Sequence, residues 1–306
     1  MIVKLNKQMM VKIWLAAGML SGTAAAYAKP AAVKFTDAKV EVYKTASGDD
    51  LKLYLFEPVG HRPGKDARPA VVFFFGGGWN GGTPSQFEQH SRYLAQRGMV
   101  AAVADYRVKS RQGTPPSACV EDGKSAVRYL RKHARRLGID PDRIAAGGGS
   151  AGGHVAAATG MLDGLDADPE DKSVSSKANA LLLFNPVYDN GPKGYGYDRV
   201  KEYWEEISPA HNITKDDPPA IVFLGTKDSL IPVATAEAFR DKMLKVGLKS
   251  ELHLYEGQPH GFFNEGKGGT EIFLDTIREM DRFLVSLGYL KGEPSPALIR
   301  SASKKK

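Results

Sequence analysis

Short apolar runs of strand length recur along the chain and alternate with helical segments. The run at residues 70–75 reads Ala-Val-Val-Phe-Phe-Phe and has no polar side chain. Such a run predicts a strand buried on both faces, as in a parallel sheet covered by helices on both sides. Further strands are predicted at 100–105, 143–146, 180–184, 220–224 and 251–255, and helices at 84–97, 118–137, 151–162, 232–246 and 270–287. The alternation predicts an α/β fold with one mostly parallel central sheet.

Two more strands are predicted before this alternation begins. Residues 40–43 and 51–56 flank a Ser-Gly-Asp-Asp turn at 47–50, which is typical of a hairpin. A chain of 306 residues suits a single domain of this class, with a core of ordinary size.

The N-terminal segment is expected to be cleaved off. Lysines at positions 4, 7 and 12 precede an apolar run at 13–20, and the segment ends in Ala-Tyr-Ala at Ala28. This order predicts a signal peptide over 1–28 and export to the periplasm or the medium, with an amphipathic helix as the alternative. The apolar run is shorter than the roughly 20 residues of a membrane span.

The rest of the chain divides into a catalytic domain and a tail. We expect the domain to cover 29–291, with an insertion at about 186–219. The tail at 292–306 carries two prolines and three final lysines, and we expect it to be flexible. The sequence predicts no oligomeric state.

Charge and cysteine content exclude several classes of function. The formal charge of +7 falls by three on loss of the signal peptide, which is too mild to predict nucleic-acid binding. A basic run at 128–136 in a predicted helix is interpreted as a solvated face, with a polyanion-binding stripe as the alternative. Cys119 is the only cysteine, which excludes an intramolecular disulfide, a zinc site of several thiolates and a CxxC redox centre.

The strongest chemical signal surrounds Ser150. The predicted strand at 143–146 runs into Gly-Gly-Gly-Ser-Ala-Gly-Gly at 147–153, and a helix begins directly afterwards. The G-x-S-x-G pattern is typical of a sharp turn that exposes a nucleophilic serine above the sheet, with small residues where the backbone passes closely. A bystander serine or a phosphate-binding loop is the alternative, although the lysine of the usual phosphate motif is missing.

A second glycine cluster follows the strand at 70–75. Gly76, Gly77 and Gly78 precede Trp79, and glycines at a strand's carboxyl end let bare amides approach a ligand. The amides of this glycine loop, together with the amide of Ala151, could hold the oxyanion of a tetrahedral intermediate. The alternative is a simple flexible turn.

A nucleophilic serine needs a base and a carboxylate that orients the base. His260 lies in a turn after the last predicted strand, and Asp228 follows the strand at 220–224. Both are expected at the carboxyl edge of the sheet, where Ser150 also lies. Asp189, after the strand at 180–184, is the alternative carboxylate.

Together these motifs resemble the α/β-hydrolase fold, and within it the esterases and lipases related to hormone-sensitive lipase and to secreted acetyl and feruloyl esterases. The resemblance spans residues 69–287 and includes Asp-Tyr-Arg at 105–107 and Ser-Pro at 208–209. It implies Ser150 as nucleophile, His260 as base, Asp228 as orienting group, and an oxyanion hole from Gly77, Gly78 and Ala151.

Two positions depart from the family pattern. Phe75 stands where the family has the histidine that braces the oxyanion loop, and Gly149 stands where an aspartate often precedes the serine. Backbone amides remain at both places, so we expect the chemistry to survive.

The expected reaction is hydrolysis of a carboxylic ester through an acyl-enzyme, which needs no metal and no cofactor. Aromatic residues of the insertion, with Trp79, could stack on sugar or aryl rings, and Trp79, Tyr188 and Trp204 are the predicted substrate contacts. Small-molecule or polysaccharide esters with short acyl or aryl groups are therefore expected. A serine peptidase of the prolyl oligopeptidase type and a non-catalytic binding protein on the same fold are the alternatives.

Overall fold

The computed structural model describes residues 33–302 of the chain. The predicted signal peptide and its cleavage site at Ala28 lie outside the described residues. Within these residues one eight-stranded sheet is formed, in the order β1-β2-β4-β3-β5-β6-β7-β8. The strands are β1 (Lys39–Ala46), β2 (Asp49–Phe56), β3 (Arg68–Phe74), β4 (Val100–Ala104), β5 (Ile139–Gly149), β6 (Ala180–Phe184), β7 (Ala220–Gly225) and β8 (Ser250–Tyr255).

The sheet is parallel apart from its first edge. β1 and β2 form the predicted hairpin, and β2 pairs antiparallel with β4, while the pairs from β4 to β8 are parallel. Parallel pairing brings the carboxyl ends of β3, β5, β6 and β7 to one edge, where open α/β sheets bind ligands. The predicted fold class is confirmed.

Helices cover both faces because successive side chains of each central strand point to opposite sides. In β3, Val72 and Phe74 pack with one buried cluster, whereas Val71 and Phe73 pack with another. The helices are α1 (Glu88–Gln96), α2 (Lys109–Gln112), α3 (Pro116–Lys132), α4 (Ala134–Leu137), α5 (Ala151–Met161), α6 (Tyr197–Val200), α7 (Trp204–Ile207), α8 (Val233–Lys245), α9 (Thr270–Ser286) and α10 (Pro296–Ala302). Residues of α3, α5 and α8 belong to the first cluster, and residues of α1 and α9 belong to the second.

The C-terminal tail is more ordered than predicted. Residues 296–302 form helix α10, in which Ile299 is buried against the second cluster and the Ser301 hydroxyl donates to Gln96 Oε1 at 3.2 Å. The prediction of a flexible tail from residue 292 is therefore wrong for this segment. A proline is well tolerated at the first helical position, since the N–H that it lacks has no partner there, so the proline signal marked a helix start.

Two arginines of the basic run at 128–136 are engaged with the protein and do not form a solvated face. Arg128 is buried, forms ion pairs with Asp166 and Glu170, and donates to the Val174 carbonyl oxygen at 2.8 Å. Arg131 donates to the Ser175 carbonyl oxygen at 2.6 Å. These two cations hold the connection between α5 and β6, because carbonyl oxygens of an irregular segment need donors that the segment itself does not supply.

Candidate active site

Ser150 lies between the end of β5 and the start of α5, at the predicted sharp turn. Its backbone has φ 55° and ψ −121°, a left-handed conformation that is uncommon for a residue with a side chain. Three backbone bonds hold it: the Ser150 N–H donates to Phe184 O at 2.9 Å, and Ser150 O accepts the N–H groups of His154 at 3.0 Å and Val187 at 3.2 Å. The conformation is thus imposed by β6, the residues that follow it and the first turn of α5.

The glycines around Ser150 are required by the closeness of neighbouring backbone. A Cβ on Gly152 would lie 2.1 Å from Phe74 O, and one on Gly148 would lie 2.3 Å from Gly152 O. Both distances are far below van der Waals contact, and backbone atoms cannot give way as a flexible side chain can. The predicted reason for the glycine pattern is confirmed.

His260 joins Ser150 to a buried carboxylate. Its Nε2 lies 2.9 Å from Ser150 Oγ, and its Nδ1 lies 2.7 Å from Asp228 Oδ2. The Asp228 side chain has no exposed surface, and its Oδ1 accepts the backbone N–H groups of Leu230 and Ile231. Since the carboxylate accepts from Nδ1–H, the Nε2 lone pair faces the serine hydroxyl.

Asp189 does not reach this histidine. Its Oδ1 accepts the Gly191 N–H at 3.0 Å and lies 3.9 Å from His211 Nδ1, within the insertion. Of the two carboxylates that the sequence offered, Asp228 is the one that meets His260.

The glycine loop after β3 passes directly beside the serine. A Cβ on Gly76 would lie 3.3 Å from Ser150 Cβ. Gly77 and Gly78 both have positive φ, at 134° and 62°, and within residues 33–302 their amides donate to no protein acceptor. Ala151 is the first residue of α5, where no preceding turn supplies an acceptor for its N–H. The three predicted oxyanion donors are therefore available.

Side chains from elsewhere brace this loop in place of the missing histidine. Phe75 stacks on Tyr106 with ring centroids 4.1 Å apart, and the Tyr106 hydroxyl donates to the Phe75 carbonyl oxygen. Gln86 Oε1 accepts the Gly76 N–H at 2.6 Å, and Arg199 Nη1 donates to Gly78 O at 2.6 Å.

The second departure from the family pattern also has a packing reason. A Cβ on Gly149 would lie 2.3 Å from Cζ of Phe263. The aromatic ring occupies the space that a side chain at position 149 would need, so glycine and Phe263 are complementary.

The three predicted substrate contacts have different surroundings. Trp79 is only 2% exposed, and Tyr188 has no exposed surface and stacks on Phe239 with centroids 4.3 Å apart. The prediction that Tyr188 contacts substrate is wrong, because its ring completes the packing of α8 on the sheet. Trp79 instead supports the loop: its indole N–H donates to His154 Nδ1 at 3.2 Å. Trp204 remains half-buried on the insertion, against His211.

His154 links three parts of the site that the sequence did not connect. Its Nδ1 accepts from Trp79, so Nε2 carries the proton and donates to the Ile207 carbonyl oxygen at 2.8 Å. Burial lowers the pKa of His154 to about 4, which keeps the ring neutral. Helix α5, the oxyanion loop and the insertion therefore meet at one imidazole.

The described part of the chain holds no group of three or more His, Cys, Asp and Glu side chains arranged for a metal ion. Among its helices, none has the length and apolar character needed to cross a bilayer.

Two family models match the chain. The BD-FAE model matches residues 59–190, and the dienelactone hydrolase family model matches residues 194–289. Curated relatives include a probable isoprenylcysteine alpha-carbonyl methylesterase of Arabidopsis thaliana, 30% identical over 63% of this chain and 45% of its own length. Esterase LipC of Mycobacterium tuberculosis is 29% identical over 70% of this chain and 58% of its own. The chain thus spans about half the length of these curated relatives.

The matches to solved structures cover a larger share of both chains. The apo form of Thermogutta terrifontis esterase 2 is 44% identical, with a TM-score of 0.82, and the match covers 85% of this chain and 98% of that one. The same esterase phosphorylated by paraoxon is 45% identical, with a TM-score of 0.81 and the same two coverages. Its propionate-bound form has a TM-score of 0.79 at 44% identity and covers 85% and 97% of the two chains. The chain belongs to the esterases of the α/β-hydrolase fold.

Proposed function

We propose that this chain hydrolyses carboxylic esters with Ser150 as nucleophile, His260 as general base and Asp228 as the group that orients the base. One observation carries the proposal: an unbroken hydrogen-bonded path of 2.7 and 2.9 Å from the buried carboxylate through the imidazole to the serine hydroxyl. A nucleophile, a base and an orienting group within such distances are what covalent acyl transfer requires.

The reaction follows from the geometry in two steps. His260 Nε2 takes the Ser150 proton as Oγ attacks the ester carbonyl carbon, and the amides of the oxyanion loop and of Ala151 donate to the oxyanion. The imidazolium then gives its proton to the leaving oxygen, so that an alcohol departs and an acyl-serine remains. Water, deprotonated by the same nitrogen, attacks the acyl carbon, the bond from that carbon to Ser150 Oγ breaks, and the imidazolium returns its proton to Oγ, so that the acid and free serine result.

For the acyl side we propose short chains. The related Thermogutta terrifontis esterase 2 has been solved with propionate and with butyrate bound. For the alcohol side we propose a carbohydrate or aryl group, because the insertion contributes half-buried rings next to the oxyanion loop. A Cβ on Gly78 would lie 3.1 Å from the Tyr195 hydroxyl, and Tyr197 and Trp204 follow on the same segment.

The nucleophile is tested by Ser150→Ala with p-nitrophenyl acetate as substrate. We expect kcat to fall by about 10⁴–10⁶-fold, as when other serine triads lose their nucleophile. The matched control is Ser173→Ala, which changes an exposed serine between α5 and β6 and should keep the wild-type rate. Paraoxon, which phosphorylates the Thermogutta esterase, should label wild type and Ser173→Ala but not Ser150→Ala. A Ser150→Ala variant that is folded and turns over at the wild-type rate would contradict the assignment.

The substrate class is tested with an ester panel. We expect p-nitrophenyl acetate and butyrate, together with acetylated or feruloylated saccharides, to be cleaved with higher kcat/KM than p-nitrophenyl palmitate. A preference for the long acyl chain would overturn the substrate proposal and leave the nucleophile untouched. Cleavage of prolyl peptides in preference to all esters would favour the peptidase alternative.

The signal at the N-terminus supports a further proposal of export. The full-length chain expressed in a bacterium should appear outside the cytoplasm, with a mature N-terminus at Lys29. An intact Met1 on a cytoplasmic product would contradict it.

A further inference from the structure

Asn185 is a buried polar residue in contact with the proposed base, and no sequence motif pointed to it. It directly follows β6 and has no exposed surface. Its backbone has φ 35°, in the left-handed region that asparagine tolerates better than most residues. The Asn185 N–H donates to Phe223 O at 2.7 Å, which anchors the residue between β6 and β7.

The Asn185 amide has one possible orientation. Its Oδ1 accepts the Gly261 N–H at 3.0 Å, so the oxygen is held by the residue that follows His260. The Nδ2 group is thereby directed at His260 Nε2, 3.3 Å away. A flipped amide would place its NH₂ against the Gly261 N–H, with two donors facing each other.

This orientation has a consequence for the imidazole. With Nδ1–H donating to Asp228, the Nε2 lone pair receives N–H from Asn185 as well as O–H from Ser150. When Nε2 is protonated, Asn185 offers it no acceptor, because Oδ1 is already engaged by Gly261. A hydrogen bond made only to the neutral form favours the neutral form.

We propose that Asn185 is a catalytic residue that keeps His260 in its free-base form and directs the proton of the imidazolium to the serine or leaving-group oxygen. The inference rests on the proposed function. It predicts that Asn185 extends esterase activity toward lower pH.

Other charges near His260 stay constant when Asn185 is changed. Asp228 contacts Nδ1, and Lys227 precedes it in the chain. The Lys267 ammonium would lie 4.0 Å from a Cβ on Gly261, in the turn after the base. A shift of the pH profile in an Asn185 variant therefore reports the amide itself.

Two substitutions distinguish the effect of the Asn185 side-chain amide from the effect of the positive φ at this position. Asn185→Gly removes the side chain and suits a positive φ, and Asn185→Asp keeps the shape while replacing NH₂ by an oxygen that accepts from the imidazolium. We expect the acid limb of kcat/KM for p-nitrophenyl acetate to move to higher pH by about half a unit in the glycine variant. In the aspartate variant we expect a shift of about one unit in the same direction.

The matched control is Asn264→Ala. Asn264 donates to Gly261 O at 2.8 Å and so holds the same turn without touching the imidazole. Its loss should leave the midpoint of the acid limb unchanged, even if kcat falls. An acid limb that stays in place in Asn185→Gly, or moves equally in Asn264→Ala, overturns the inference.

A second readout does not depend on turnover. In the Ser150→Ala background, the His260 ring protons can be titrated by NMR with Asn185 intact or replaced by glycine, which removes the amide without adding a charge. The midpoint should lie at higher pH with glycine, and equal midpoints contradict the inference. If wild type neither cleaves esters nor reacts with paraoxon, the proposed function fails, yet this titration still decides the role of Asn185.

Discussion

The turn that carries Ser150 and the oxyanion loop at 76–79 touch each other, but they are held by different kinds of contact. The turn is fixed mainly by backbone: the Ser150 N–H donates to Phe184 O, Ser150 O accepts from the N–H groups of His154 and Val187, and Gly152 lies against the carbonyl oxygen of Phe74. These contacts depend on the strands being in register and on glycines at set positions. A short sequence motif therefore describes the turn almost completely.

The oxyanion loop depends on side chains that are distant in sequence. Tyr106 follows β4, Gln86 precedes α1, His154 lies on α5 and Arg199 lies on the insertion. No motif at 76–79 reveals these partners. A change in one of them can alter the loop while the turn stays intact, which explains how the family's bracing histidine can be replaced by Phe75.

The largest effect on stability is expected at Gly152, where the backbone of α5 contacts the backbone of β3. Gly152→Ala places a methyl group 2.1 Å from Phe74 O, and neither β3 nor α5 can retreat without losing its packing. We expect a loss of about 3–5 kcal/mol in the free energy of unfolding, measured by urea denaturation. Gly78→Ala is the matched control: its methyl would meet only side-chain atoms, so positive φ alone should cost about 1–2 kcal/mol. Equal losses in the free energy of unfolding for the two variants would contradict the idea that backbone contacts fix the turn whereas side chains fix the loop.

A smaller effect is expected from His90, which packs in the aromatic layer beneath the turn. Among the described residues its two ring nitrogens have no hydrogen-bond partner, and it lies among Phe184, Phe263 and neighbouring rings. Burial lowers the pKa of His90 to about 3, so the folded protein holds it neutral while the unfolded chain binds a proton below about pH 6.5. The free energy of unfolding therefore falls as pH drops from about 6.5 toward 3.

His90→Leu removes this proton uptake on unfolding. From about pH 8 to about pH 5, the variant should lose about 2 kcal/mol less stability than wild type, measured by urea denaturation at both pH values. Ser91→Ala, the next residue on α1 and also buried, changes no titratable group and should leave the wild-type loss unchanged. An equal pH dependence in wild type and His90→Leu would contradict the buried neutral state.

The smallest effect is expected from loss of Arg199, which holds the oxyanion loop. It should lower kcat and leave the free energy of unfolding nearly unchanged. Arg199 is exposed, stacks on Trp79 at 4.8 Å and donates to Gly78 O. Arg199→Ala should lower kcat for p-nitrophenyl acetate by about tenfold, less than loss of a whole oxyanion donor, because the Gly78 amide becomes less well oriented. Lys201→Ala changes an exposed neighbour whose ion pair is with Glu202, and it should keep the wild-type kcat. A Tm drop as large in Arg199→Ala as in Gly152→Ala would show that the brace is structural.

Most of the architecture follows from local pattern. The apolar runs at β3, β4, β6 and β7 predict strands, because a segment buried on both faces has no position for a polar side chain. Boundaries were less predictable: the helix expected at 118–137 breaks at His133, and β5 begins at Ile139 instead of 143. Helix ends depend on the packing of the following segment, which no local pattern contains.

The sequence by itself determined the parallel sheet, the turn at Ser150, and the order of serine, aspartate and histidine along the chain. Those features arise from side-chain periodicity and from steric exclusion at glycine, both of which act between near neighbours. Tertiary structure alone decided that Asp228 and not Asp189 meets His260, that Tyr188 is buried, that Phe263 fills the space beside Gly149, and that Asn185 faces the base. Each of these depends on which atoms from distant segments occupy the same few ångströms, and only the packed chain specifies that.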